Sequence, residues 1–152
     1  MSLDAVALFN AVQSHAMTTG LFDRVGTHEP KNAPGNGLTC AIWAAPFGPV
    51  PASSGLTVAS ARVSFLIRLY NPMLQQPQDD IDPTVLDAAS KLISAYAGAF
   101  TLDGLVRNVD IFGAAGPALG ATPGYLNQDG KIFRVIDILL PMIINDVWTE
   151  LP

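Results

Sequence analysis

The stretch at residues 61–70, Ala-Arg-Val-Ser-Phe-Leu-Ile-Arg-Leu-Tyr, constrains the fold most, because its apolar residues recur at every second position as a strand requires. Val63, Phe65, Ile67 and Leu69 fall on one face, and Arg62, Ser64, Leu66, Arg68 and Tyr70 on the other. A sheet with one apolar face needs a cover, and two segments of the chain have helical periodicity to supply it. Residues 3–18 place Ala5, Leu8, Phe9, Val12 and Ala16 at helical spacing opposite Asn10, Gln13 and Ser14. Ser2 suits the cap of that helix, Asp4 the positive end of its dipole, and Gly20 its stop. A second helix is predicted from Asp82 as cap and Pro83 at the first position, with Val85, Leu86, Ala89, Leu92, Ile93 and Tyr96 as its stripe and Gly98 as its end.

The remaining strands are shorter or interrupted. Residues 38–45, with Ile42 and Trp43 as the heaviest packing groups, read as a short buried strand, and residues 105–112 as a third strand. Residues 125–145 read as a hairpin turning near Gln128-Asp129-Gly130, since Asp-Gly supplies the positive φ of a tight turn. Pro141 cannot donate to a ladder, which predicts an edge or a bulge there. Between these lie Pro- and Gly-rich connections at residues 22–37, 46–55, 71–81 and 113–124. The fold class is therefore α+β, with a small mixed sheet of four to five strands covered by two helices. One domain over residues 1–152 is expected, since 49% hydrophobic content suffices for a single core.

Only 14% of residues are charged, well under the usual quarter, which points to surface covered by partners. The net charge is −5 and the eight basic residues are scattered singly, so no basic patch for a phosphate backbone is expected. Cys40 is the single cysteine and sits in an apolar run, as a buried structural thiol does. The N-terminus lacks a basic segment followed by an apolar one, so no export signal is predicted, and the protein is expected to be made and kept in the cytoplasm unless it leaves inside a larger particle. The apolar run 138–144 is too short for a membrane span.

Candidate chemical sites are weak. Asp79, Asp80 and Asp82 form the densest carboxylate cluster, but acidic residues before a helix serve as caps and dipole partners, and no further ligands complete an octahedral oxygen site. His28 and Glu29 are adjacent and cannot converge on one target, while His15 is embedded in the helix pattern. The segment 113–120 has the glycines of a phosphate loop, yet it lacks the Lys-Ser or Lys-Thr ending, and Pro117 removes an N–H. No catalytic, cofactor or metal residues are therefore assigned. Arg62 and Arg68 on the polar side of the central strand are either solvated strand charges or grips for a partner's carboxylates.

Several stretches together resemble a family of structural proteins of long-tailed, siphovirus-type actinobacterial bacteriophages, the tail terminator or head-to-tail joining type. They are His28-Glu29-Pro30-Lys31-Asn32-Ala33-Pro34 with Gly37-Leu38-Thr39 and Ile42-Trp43; Pro51-Ala52-Ser53-Ser54-Gly55-Leu56 leading into residues 62–70; Pro77-Gln78-Asp79 with Ile81-Asp82-Pro83; and residues 125–134 with Asn145-Asp146-Val147-Trp148. The resemblance implies a non-enzymatic virion protein at the head-proximal end of a tail. It implies a ring, commonly a hexamer, that caps the tail tube, stops its growth and meets the head connector. A negative balance suits a lumen through which DNA passes without binding. The alternatives are a neck subunit of the same particle, or a small ligand-binding or enzyme domain using the 113–124 loop. For the ring, the expected contact residues are Pro49, Pro51, Arg62, Arg68, Met73, Leu74, Asp79 and Asp80, because the loops at 46–55 and 71–81 flank the two ends of one strand.

Overall fold

In a computed structural model, which describes residues 3–30, 37–50, 58–72, 81–99, 101–102 and 104–149, the 61–70 stretch lies inside a longer strand. The order of elements is α1 (Ala5–Thr18), β1 (Arg24–Gly26), β2 (Thr39–Pro49), β3 (Val58–Pro72), α2 (Ile81–Gly98), β4 (Asn108–Val109), β5 (Gly120–Gln128) and β6 (Lys131–Thr149). The strands form one mixed, strongly curled sheet in the order β1-β2-β3-β6-β4, with β5 also paired to β6. Only β1 and β2 run parallel. The α+β class holds, and six described strands replace the expected four to five.

The apolar alternation does what it implies. Val63, Phe65, Ile67 and Leu69 of β3 join Ile136, Ile138, Leu140 and Met142 of β6 under one cover made by Leu8, Val12 and Ala16 of α1 and Val85, Ala89, Leu92 and Tyr96 of α2. Each large side chain buried this way contributes about 1.5–3 kcal/mol. Phe9 meets Phe65 edge to face at 4.7 Å, and the Tyr96 hydroxyl donates to the Val12 carbonyl at 2.7 Å, tying the helices together. Asp4 rather than the dipole-facing role expected of it is the cap of α1, its Oδ1 accepting from the Ala7 amide at 3.1 Å, and Gly20 closes the helix at φ 68°. Ser2 lies outside the described residues. Asp82 stands within the first turn of α2, where it still meets the positive dipole end.

Strand ends depart most from expectation, and prolines explain why. β2 continues past Ala45 to Pro49 because a bulge between Ala44 and Phe47 accommodates Pro46. β3 includes Asn71 and Pro72, which pair with Arg134 and Phe133 instead of entering a loop. The expected strand at 105–112 shrinks to Asn108–Val109. The hairpin turns at Asp129 and Gly130, with φ 54° and 76°, but its first arm begins at Gly120 and its second runs through Pro141 to Thr149. Pro141 is at neither an edge nor a bulge. Its carbonyl accepts from the Asp110 amide at 2.9 Å, so its nitrogen faces that same side, where β5 has ended at Leu139 and β4 begins at Met142. No bond to β3 is lost.

β4 and β5 are thus one interrupted strand along the outer side of β6, with residues 111–119 looping out between them. The Leu119 amide donates to the Ile111 carbonyl at 3.2 Å and closes the neck of that loop.

Cys40 is buried, and burial pushes its thiol up to about 12. The native protein should therefore give no reaction with an aromatic disulfide reagent at pH 8, and one equivalent of thiol per chain once unfolded in denaturant. Rapid labelling of the native state would contradict this packing.

Candidate functional site

Two strands of the sheet, β2 and β5, lie in runs of the chain without charge, although the short terminal strand β1 carries Arg24. No charged residue occurs from Asn32 to Ala61, a stretch containing β2, nor from Ile111 to Gln128, a stretch containing β5 and the 111–119 loop. β2 lies on one side of the central pair β3-β6, inside β1, and β5 lies on the other side, paired to β6. β1 covers β2 only at residues 39–41, so among the described residues 42–49 have no strand on their outer side. Monomeric proteins generally guard such edges with charges; here the guards are prolines, Pro46 and Pro49 on β2 and Pro123 on β5.

The back face of the sheet holds the two arginines of β3, each with a carboxylate in its own chain. Arg68 makes a bidentate pair with Asp137, at 2.6 and 3.0 Å, and its guanidinium lies 5.3 Å from the centre of the Trp43 ring. The Asp137 hydrogen bond is the largest influence on Arg68, raising its pKa against the opposing effect of burial. Trp43, expected in the core, is half-buried on this back face, where it joins Ala41, Tyr70, Phe133, Val135 and Leu126 in a second apolar cluster. The Gln128 side-chain amide donates to the Pro30 carbonyl at 2.9 Å, tying the segment after β1 to the hairpin tip. On the other side of that hairpin Arg134 pairs with Asp82 at 2.9 Å and stacks over Tyr125 at 4.4 Å.

Arg62 serves the 110–119 loop. Its Nε donates to Asp110 Oδ2 at 3.2 Å, and its remaining guanidinium nitrogens reach the Ser64 hydroxyl and the Pro117 carbonyl. Asp110 also accepts from the amides of Ala114 at 2.8 Å and Ala115 at 3.1 Å. The amides that a phosphate would have used in this glycine-rich segment are occupied by the chain's own carboxylate. Gly116 passes so close beneath Arg62 that a Cβ would come within 2.8 Å of the guanidinium carbon. Gly113 has φ 73°, and a Cβ there would meet the Gly116 carbonyl oxygen at 2.5 Å. Gly113 is required by the loop's backbone path, and at Gly116 any side chain would displace the Arg62 guanidinium.

Burial would raise the Asp110 carboxyl, but the amides of Ala115 and Ala114 and the Arg62 guanidinium outweigh it and hold the group below the ordinary carboxylate value. The unfolded chain binds this proton more readily, so Asp110 contributes its stabilisation fully above about pH 4 and loses it as pH falls through the depressed native value. The gap in urea midpoint between wild type and Asp110→Asn should be largest at neutral pH and narrow below pH 4. A gap constant from pH 7 to pH 2.5 would contradict the assignment.

Of the contact residues expected from sequence, Pro49 is at the exposed end of β2, Arg62 and Arg68 are placed as above, and Pro51, Met73, Leu74, Asp79 and Asp80 lie outside the described residues. His28 and Glu29 are exposed. Among the described residues, no three of His, Cys, Asp and Glu converge on a metal-sized site, and no helix is long and apolar enough to cross a membrane. An open cavity of about 450 Å³ is lined by Leu21, Leu38, Pro83, Thr84, Asp87 and Ala88. Its carboxylate, Asp87, is paired with Lys91 at 2.8 Å. Sequence reasoning missed Asp110 and Asp137 as arginine partners and Phe47 and Phe112 as exposed aromatics. The charge-free runs were the available signal for the last two.

No family model and no curated protein matches the sequence. Among solved structures, the fold is similar to that of a chain from the virion of a native gene transfer agent particle, with a TM-score of 0.51 at 19% identity, covering 94% of this chain and 99% of that one. A lower similarity, TM-score 0.45 at 12% identity, is to a sheath/tube terminator of an extracellular contractile injection system in its extended state, covering 100% of this chain and 61% of that one. The chain thus shares its fold with that chain of the gene transfer agent virion.

Proposed function

We propose that the protein is a tail terminator: a non-enzymatic virion subunit that forms a ring, a hexamer, on the head-proximal end of a tail tube and joins the tube to the head connector. The observation that carries this reading is the pair of charge-free runs on opposite sides of one sheet, β2 beyond the three residues that β1 covers and β5 with the loop before it. A subunit with charge-free surfaces on both sides of its sheet is suited to meet a copy of itself on each side, and such heterologous contacts close into rings. The fold shared over nearly its whole length with a gene transfer agent virion chain supports the same reading. So does the resemblance of the sequence to actinobacteriophage tail terminators. The negative net charge keeps DNA moving through the lumen without adhesion. The 46–55 and 71–81 segments, with Pro49, Pro51, Met73, Leu74, Asp79 and Asp80, make the inter-subunit or inter-ring contacts.

The test is tube growth. Added to the polymerising major tail tube protein of the same particle, the chain should arrest elongation and stain as a cap on one tube end. Tubes that lengthen unchanged, with the chain binding the connector instead, would assign it to the neck.

A further inference from the structure

The loop between β4 and β5 packs Ile111 and Leu119, at its two ends, against the core and projects the residues between them outward. Asp110 lies opposite Pro141 and Gly120 opposite Leu139, so a single residue of β6, Leu140, separates the two points between which residues 111–119 loop out. The excursion is held by the buried Asp110 carboxylate, by Arg62 and by the close approach of Gly113 to Gly116. Yet this braced loop presents Phe112 with 93% of its surface exposed. Burying such a ring would contribute about 1.5–3 kcal/mol, and a rigid mount removes most of the ordering cost of doing so against a partner.

A counterpart lies at the other end of the same row of the sheet. Phe47 pairs across β3 at Val63, which pairs with Met142 of β6, which pairs with Val109 of β4, just before the loop. Phe47 is 63% exposed, on the part of β2 that β1 leaves uncovered. The charges nearest this row, Asp110 and Arg62, are paired with each other, and residues 32–61 and 111–128 add none, so no unpaired charge opposes the meeting of its ends. Because knob and counterpart occupy opposite ends of one row, a neighbour placed beside the sheet brings the loop of one copy to the β2 edge of the next.

We infer that the 110–119 loop is the protrusion by which one copy seats on the next, with Phe112 packing at the β2 edge against Phe47 of a second copy. This rests on the ring reading and names its contact. The test joins Phe112→Cys and Phe47→Cys in one chain and applies a short bismaleimide crosslinker; buried Cys40 does not react. A covalent ladder of multimers from the double variant, absent from either single variant, is the expected result. Phe112→Ser and Phe47→Ser should each weaken self-association at least tenfold while leaving the thermal unfolding midpoint of the dissociated subunit unchanged, since both rings are exposed in the single subunit. Rings that persist in both serine variants with no ladder overturn the inference and leave the ring reading standing. Serine rings that persist but no longer cap tubes assign Phe112 to the tube and also overturn it. Crosslinked dimers without larger species keep the contact and contradict the ring. A wild-type chain monomeric at every concentration, uncrosslinked in the double variant, overturns both.

Discussion

Asp110→Ala is expected to lower the unfolding free energy by about 3–5 kcal/mol, because it leaves Arg62 as a largely buried charge without its carboxylate. The side chains of Arg62 and Asp110 are 12% and 4% exposed, so water cannot replace the lost partner. The same change strips the amides of Ala114 and Ala115 of their acceptor. Adding Arg62→Met removes the stranded charge and should recover much of the stability. It should not recover the loop, whose two amides remain without their acceptor. Urea unfolding reads the first quantity and amide hydrogen exchange at 114 and 115 the second. Recovery of both in the double variant would show that the carboxylate does not organise the loop.

Phe65→Ala is expected to cost about 3–5 kcal/mol, the range for deleting a buried aromatic ring. Phe65 is buried at the centre of β3 and meets Phe9 edge to face, so the vacated volume sits beneath α1, between two elements that cannot both move to fill it. Against a total of about 5–15 kcal/mol that is a large fraction, and the midpoint should fall by roughly 6–20 °C. Leu66→Ala, one residue along on the half-buried opposite face, should cost well under half as much. Equal effects at 65 and 66 would mean that the face assignment of β3 is wrong.

The alternation of residues 61–70 was enough to place β3, its buried face and the need for two helices, because period two and period 3.6 leave distinct marks in a sequence. Asp129-Gly130 likewise located the hairpin, since few residue pairs tolerate φ of 54° and 76° in succession. What was not legible depended on neighbours distant in the chain. Pro46 and Pro141 read as strand breakers, yet one lies in a bulge and the other at a junction of two partner strands, which only the register reveals. Arg62 and Arg68 were readable only as solvated strand charges or as grips for a partner, because their own carboxylates, Asp110 and Asp137, lie far along the chain. The 113–120 glycines were visible, but not that they let a loop fold tightly around Asp110. The charge-free runs were equally visible; that they occupy opposite sides of one sheet follows only from strand order.

The ring is the central claim, and the mass of the native assembly tests it most directly. Native mass spectrometry of the purified chain, at micromolar concentration and across a range of ionic strength, should find a closed multimer of about six copies of the 16.0 kDa subunit. It should persist at high salt, since the contacts between its charge-free runs are not screened. A monomer under all these conditions, or an assembly that falls apart as salt rises, would contradict the account.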